Sequence, residues 1–184
     1  MSRSVETVIV GAGPTVWPQG VPAVGATASR SRSVSLEDIE RFTAISGDRN
    51  PLHYDVARAA ATRLGGLVVQ GGVITAILNA VVAEDLPGPG SVFLRTDWSF
   101  RAPVRPGDTI TGHVQVLEVR RDKPITRLAA KVVRDDGVVS VDGEAHCYTF
   151  ALATAAGGAA RRPSGRTLAE VAPRLRLTTG PRPV

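Results

Sequence analysis

Apolar residues recur at helical spacing in the first half of this chain and alternate with polar ones in the second. The stretch "SLEDIERFTAIS" opens at Ser35, carries acids in its first turn, and sets Leu36, Ile39, Phe42 and Ile45 on one apolar stripe. Ser35 and Asp38 stand at capping-box-like spacing, so a helix is predicted from Ser35 to Gly47. The "GDRNP" that follows reads as loop, because the residue before Pro51 is pushed out of helical geometry. A short helix is predicted at roughly 55–63. The stretch "GGVITAILNAVVAEDLPG" predicts a long third helix in which Val73, Ile74, Ile77, Leu78, Val81 and Val82 leave little polar surface. A helix apolar nearly all round belongs in a core.

After Pro89 the period changes to that of strands. "SVFLRTDWSF" puts Val92, Leu94, Trp98 and Phe100 on one face, and "TITGHVQVLEV", "ITRLAAKVV" and "VVSVDGEAHCYTF" follow. The joins "APVRPGD", "RRDKP" and "RDDG" are turn signals. Four such strands with short joins predict an antiparallel meander whose apolar face the long helix covers. The fold class is α+β, helices first and then a curved antiparallel sheet around one helix. Residues 1–33 read as an N-terminal extension, 34–150 as the domain, and 151–184 as an Arg/Pro/Ala-rich tail expected to be largely disordered.

Charge changes this picture only after it is placed. The net +5 comes from the ends: 151–184 hold six arginines and Glu170, and 1–34 hold three arginines and Glu6. Residues 35–150 carry 13 basic and 15 acidic side chains, so the folded part is slightly acidic and nucleic acid is excluded as its partner. One cysteine, Cys147, permits no internal disulfide and no thiolate metal cluster. No apolar run reaches the ~18 residues of a membrane span, and the N-terminal "VIV" is too short for a signal peptide. The expected location is the cytoplasm, with no membrane partner. "VGAGP" begins like a dinucleotide loop, but Pro14 falls where the phosphate needs an N–H and no further glycine follows at the required spacing.

Candidate chemistry sits in "SGDRNPLH", residues 46–53. Asp48 and His53 are both capable of acid/base work, and a loop stiffened by Pro51 can bring them together. Asn50 can fix the turn through local backbone. Equally, Asp48 and Asn50 can be turn formers alone, with His53 capping the next element. A second candidate is "VVQGG", where the N–H groups of Gly71 and Gly72 open the long helix and can stabilise an oxyanion. Paired glycines there can equally serve a tight turn and close packing.

Together these stretches resemble the MaoC-like (R)-specific enoyl-CoA hydratases/dehydratases. The pattern F-x-x-[IL]-S-G-D-x-N-P-x-H-x-D is met by Phe42, Ile45, Ser46, Gly47, Asp48, Asn50, Pro51, His53 and Asp55, with Val69 and Gly71 at the helix start. "LPGPGSVFLRTDWSFRAPVRPGDTI" and "DKPI" are similar to later family segments, and the resemblance covers about 20–150. It implies the hot-dog fold, with Asp48 and His53 as the catalytic pair, Gly71 N–H as the oxyanion donor, and Asn50, Gln70, Gly72 and Asn79 as supporting or substrate-binding residues. The implied reaction is reversible syn hydration of 2-enoyl thioesters, or dehydration of (R)-3-hydroxyacyl thioesters. The resemblance implies no metal and no redox cofactor, since coenzyme A or a carrier-protein phosphopantetheine belongs to the substrate. Implied partners are the acyl thioester, a second copy in a homodimer, and an acyl carrier protein.

Two departures stand out. Gln70 replaces a frequent His, and Gly72 replaces a bulkier residue; both bear on pocket shape. Asn79, a polar residue in an apolar helix, is expected to hydrogen-bond the catalytic loop or to satisfy backbone in the core, while His113 and His146 are expected to be structural or exposed. The rival readings are a hot-dog thioesterase or cyclase, and a non-catalytic acyl-binding hot-dog module.

Overall fold

The computed structural model describes residues 3–6, 17 and 20–152. The expectation of a disordered tail falls on residues 153–184, outside the described part. In chain order the elements are β1 (Arg3–Glu6), β2 (Thr27–Ser33), α1 (Leu36–Ser46), a 3-10 turn (Pro51–His53), α2 (Val56–Ala60), α3 (Gly71–Glu84), β3 (Ser91–Phe100), β4 (Thr109–Val119), β5 (Ile125–Arg134) and β6 (Val139–Thr149). One antiparallel sheet takes the order β1-β2-β4-β5-β6-β3. No helix among the described residues is long and apolar enough to cross a membrane.

The helix α3 touches β2, β3, β4 and β5. β2 and β3 stand four strand gaps apart, about 19 Å across a flat sheet, whereas a helix with its side chains is about 10–12 Å wide. One helix can reach both only if the sheet curls around it. All six apolar residues expected to face the core, Val73, Ile74, Ile77, Leu78, Val81 and Val82, are buried. They meet Ile110, Val114, Val116, Leu128, Val132 and Val141 from the sheet. Gly112 makes this approach possible: a Cβ there would lie 2.8 Å from Ile77 Cγ2. The helix is not buried all round, however, since Ala76 and Asn79 lie on an exposed stripe.

Three expectations are corrected. The extension does not reach residue 33, because Thr27–Ser33 form β2, which pairs with β4 from Thr27↔Gln115 to Ser33↔Thr109. The strands do not form a four-strand meander: β4, β5 and β6 do, but β3 pairs with β6. β2 occupies the free side of β4, which leaves β3 only the far edge. Within β3, alternation breaks at a register shift between Phe93 and Arg95. Phe93 and Trp98 therefore both face the core, ring centroids 6.2 Å apart and edge to face, while Val92, Leu94 and Phe100 are exposed.

The helix α1 is capped as expected: Ser35 N–H donates to Asp38 Oδ2 at 2.8 Å, and Gly47 closes the helix in the left-handed region at φ 76°. Its four apolar residues do not share one stripe, which corrects the expectation. Steps of three residues slip about 60° around a helix each time, so Leu36 and Ile45 end on opposite sides and both are exposed. Ile39 and Thr43, four residues apart, face the core instead.

Candidate active site

The turn after α1 is held by a ladder of side-chain oxygens, each accepting an N–H two residues on. Ser46 Oγ accepts from Asp48 N–H at 3.1 Å, Asp48 Oδ1 from Asn50 N–H at 3.0 Å, and Asn50 Oδ1 from Leu52 N–H at 3.1 Å. Ser, Asp and Asn are among the residues able to make such bonds, which is why this run forms a tight turn. Asn50 thus takes the role expected of it, and Pro51 begins the 3-10 turn that carries His53.

His53 is buried, and its Nδ1 lies 2.7 Å from the carbonyl oxygen of Val68. A carbonyl can only accept, so Nδ1 carries the proton and Nε2 presents a lone pair in the neutral ring. Nε2 lies 3.5 Å from Asp48 Oδ2, with the Asp48 side chain 39% exposed. The two groups named from the octapeptide therefore face each other, one enclosed and one open to solvent.

The segment entering α3 is fastened to the same turn. Val68 N–H donates to Leu52 O at 3.2 Å while Val68 O takes the His53 proton. Gly71 is three residues further on, which limits it to about 11 Å of chain from that anchor. As the first residue of α3, Gly71 offers an N–H with no acceptor among the described residues, and no side chain caps this helix end. Two aromatic rings crowd the glycines. A Cβ on Gly71 would lie 2.9 Å from Phe100 Cζ, and one on Gly72 would lie 2.1 Å from Phe42 Cζ. Here the glycines make room for rings as well as opening the helix.

Gln70, expected to bear on pocket shape, turns its side chain toward α1. It is buried, and its Nε2 donates to Thr43 Oγ1 at 3.0 Å and to Ile39 O at 3.3 Å. Asn79 joins neither the catalytic loop nor the core: it is exposed and its side chain makes no hydrogen bond among the described residues. It stands eight residues beyond Gly71, about 12 Å up the helix axis, which explains the separation. His113 and His146 lie on the outer face of the sheet, beside a concavity of about 930 Å³ that also includes Asp97, Lys131 and Asp142. None of Asp48, His53 or Gly71 reaches that concavity.

Sequence reasoning missed three contributors: Thr43, Tyr54 and Val68. Thr43 was visible as the helix position that joins Ile39 at a four-residue step. Val68 acts through its carbonyl, which leaves no mark on residue type. Tyr54 directly follows His53, and its hydroxyl bonds Thr43 Oγ1.

Known proteins resemble this chain in sequence and in fold. The profile described as "MaoC like domain" matches residues 21–137. The (R)-specific enoyl-CoA hydratase of Aeromonas caviae is 37% identical over 122 residues, which are 66% of this chain and 91% of that protein. The 3-hydroxybutyryl-CoA dehydratase of Methylorubrum extorquens is 38% identical over 122 residues, 66% of this chain and 77% of that protein. Among solved structures, the (R)-hydratase from A. caviae superposes with a TM-score of 0.66 at 35% identity, covering 70% of this chain and 97% of that one. The R-hydratase PhaJ1 from Pseudomonas aeruginosa gives 0.66 at 35% identity, covering 73% and 86%. A profile match over residues 21–137 and relatives 37% and 38% identical show that this chain belongs to the MaoC-like family and has the hot-dog fold.

Proposed function

We propose that this protein is a hydro-lyase that adds water reversibly and syn across 2-enoyl thioesters, the reverse step dehydrating (R)-3-hydroxyacyl thioesters. The observation that carries the reading is the His53–Asp48 pair, with Nδ1 committed to Val68 and Nε2 3.5 Å from the carboxylate. A water oxygen about 2.8 Å from each of those two atoms fits as the apex of a triangle on that base. His53 Nε2 takes one proton from the water as its oxygen bonds to C3. Asp48 accepts the other O–H and faces the imidazolium as it forms. The imidazolium then returns the proton to C2 from the same side, so addition is syn and the catalyst is restored. Charge shifted onto the thioester oxygen meets the Gly71 N–H at the positive end of α3.

Water and these groups account for every bond made and broken, so the reading calls for no metal or redox cofactor. The acyl carrier, coenzyme A or a carrier protein, belongs to the substrate. The reading includes a homodimer, supported by the edge position of β3 and by Val92 and Leu94 exposed on it. It also places the enzyme in the cytoplasm.

The test is loss of enoyl absorbance with crotonyl-coenzyme A, and with the crotonyl ester of an acyl carrier protein. Turnover by the wild type, with Asp48→Asn and His53→Ala each reduced about 10²–10⁴-fold, is the expected result. Full activity in either variant refutes the assigned roles, and absence of turnover on both carriers refutes the reaction.

A further inference from the structure

We infer that Thr43 and Gln70 are positioning residues that hold the acid loop and the oxyanion donor at one fixed separation; this rests on the reaction proposed above. Thr43 is buried at the inner face of α1, and its hydroxyl has a partner for every bond it can make. Its single proton goes to the Asp48 carbonyl oxygen, at 2.7 Å, because a carbonyl can only accept. Its oxygen accepts from Gln70 Nε2 at 3.0 Å and from the Tyr54 hydroxyl. Gln70 spends its second amide proton on Ile39 O at 3.3 Å, which fixes the amide's orientation.

Each end of this network is one covalent step from the chemistry. The carbonyl that Thr43 grips belongs to Asp48 itself. Gln70 is the residue before Gly71, and its ψ of 147° orients the peptide whose N–H meets the thioester oxygen. The Thr43 side chain of α1 thus spans the gap between the two halves of the site, which arrive from separate parts of the chain. Neither residue touches the reacting atoms. Their contribution is geometric, and a displacement of about 1 Å in a catalytic group can lower turnover by about a hundredfold.

Gln70 also offers a favourable way to test this. Its Oε1 is buried and has no donor among the described residues. Replacing the amide by an apolar chain of similar length removes that unpaired acceptor, and Thr43 Oγ1 keeps its bonds to Asp48 O and to Tyr54, so the loss of the two donors costs some stability and leaves a folded protein to assay. Thr43→Val keeps shape and loses the hydroxyl; Thr43→Ser keeps the hydroxyl.

The experiment compares kcat, KM and melting temperature for wild type, Thr43→Val, Thr43→Ser and Gln70→Met on whichever enoyl thioester the wild type hydrates. Asp48→Asn is run alongside. The expected result is a fall in kcat of tenfold or more for Thr43→Val and Gln70→Met, with KM within about twofold, and near wild-type kcat for Thr43→Ser. If Thr43→Val does not fold, Gln70→Met decides alone. Wild-type kcat in a folded Gln70→Met or Thr43→Val overturns the inference while Asp48→Asn, if inactive, leaves the reaction standing. Loss in Thr43→Ser equal to that in Thr43→Val also overturns it. A wild type that hydrates neither carrier's ester overturns both.

Discussion

Gly72→Ala sets two known effects against each other on one helix. Alanine relieves the backbone entropy cost of glycine by about 0.5–1 kcal/mol. The added Cβ, however, would lie 2.1 Å from Phe42 Cζ and 2.4 Å from Cε2. Carbon atoms in contact rest about 3.5–4.0 Å apart, so the ring must retreat by about 1.5 Å. Phe42 packs against the core, and overfilling such a site costs about 1–3 kcal/mol. The clash wins by about 1 kcal/mol, which lowers the melting temperature by about 3–5 °C for a domain of this size. Gly71→Ala is the internal control. Its Cβ would meet Phe100 at 2.9 Å, but that ring is 57% exposed and can swing into solvent. Thermal melts followed by circular dichroism check the pair. A melting temperature for Gly72→Ala at or above wild type, or a larger fall for Gly71→Ala, refutes the reasoning that ring confinement decides.

Two further outcomes follow from charge and burial. Burial and the nearby Lys131 charge hold the His113 imidazole below its ordinary value of 6.5. Protonation then favours the unfolded chain, so stability is held above that value and falls as pH drops below it. His113→Gln is expected to flatten the difference between denaturation midpoints at about pH 7 and about pH 5, and an unchanged difference counts against the assignment. The Cys147 thiol is fully buried, and burial pushes it up to about 12. A thiol reagent at about pH 8 should leave it unmodified in the native protein and react at once when denaturant is added; rapid native labelling refutes this.

Much of the site was legible because its signals are local. A turn built from Asp, Asn and Pro, with a histidine two positions beyond the proline, is a property of eight consecutive residues. The capping of α1 and the apolar face of α3 are also properties of neighbours in sequence. Asn79 misled because a polar residue in an apolar helix can face either inward or outward, and periodicity alone leaves one stripe undecided. Gln70 misled because its position beside Gly71 suggested the pocket, whereas its side chain turns back to Thr43, 27 residues earlier.

By itself the sequence determined the types of α1, α2, α3 and β3 to β6, the core face of α3 and the candidate acid/base pair, and its motifs carried the resemblance to the family. Only the tertiary structure decided which strand pairs with which, that β2 joins the sheet, and which imidazole nitrogen faces Asp48. It also decided that Thr43 and Gln70 tie the two halves of the site together. The difference is one of range. Periodicity, caps and turns arise between residues a few positions apart. The pairing of β3 with β6 and the bonds from His53 to Val68 and from Gln70 to Thr43 exist only once the sheet has closed around α3 and brought distant backbone together.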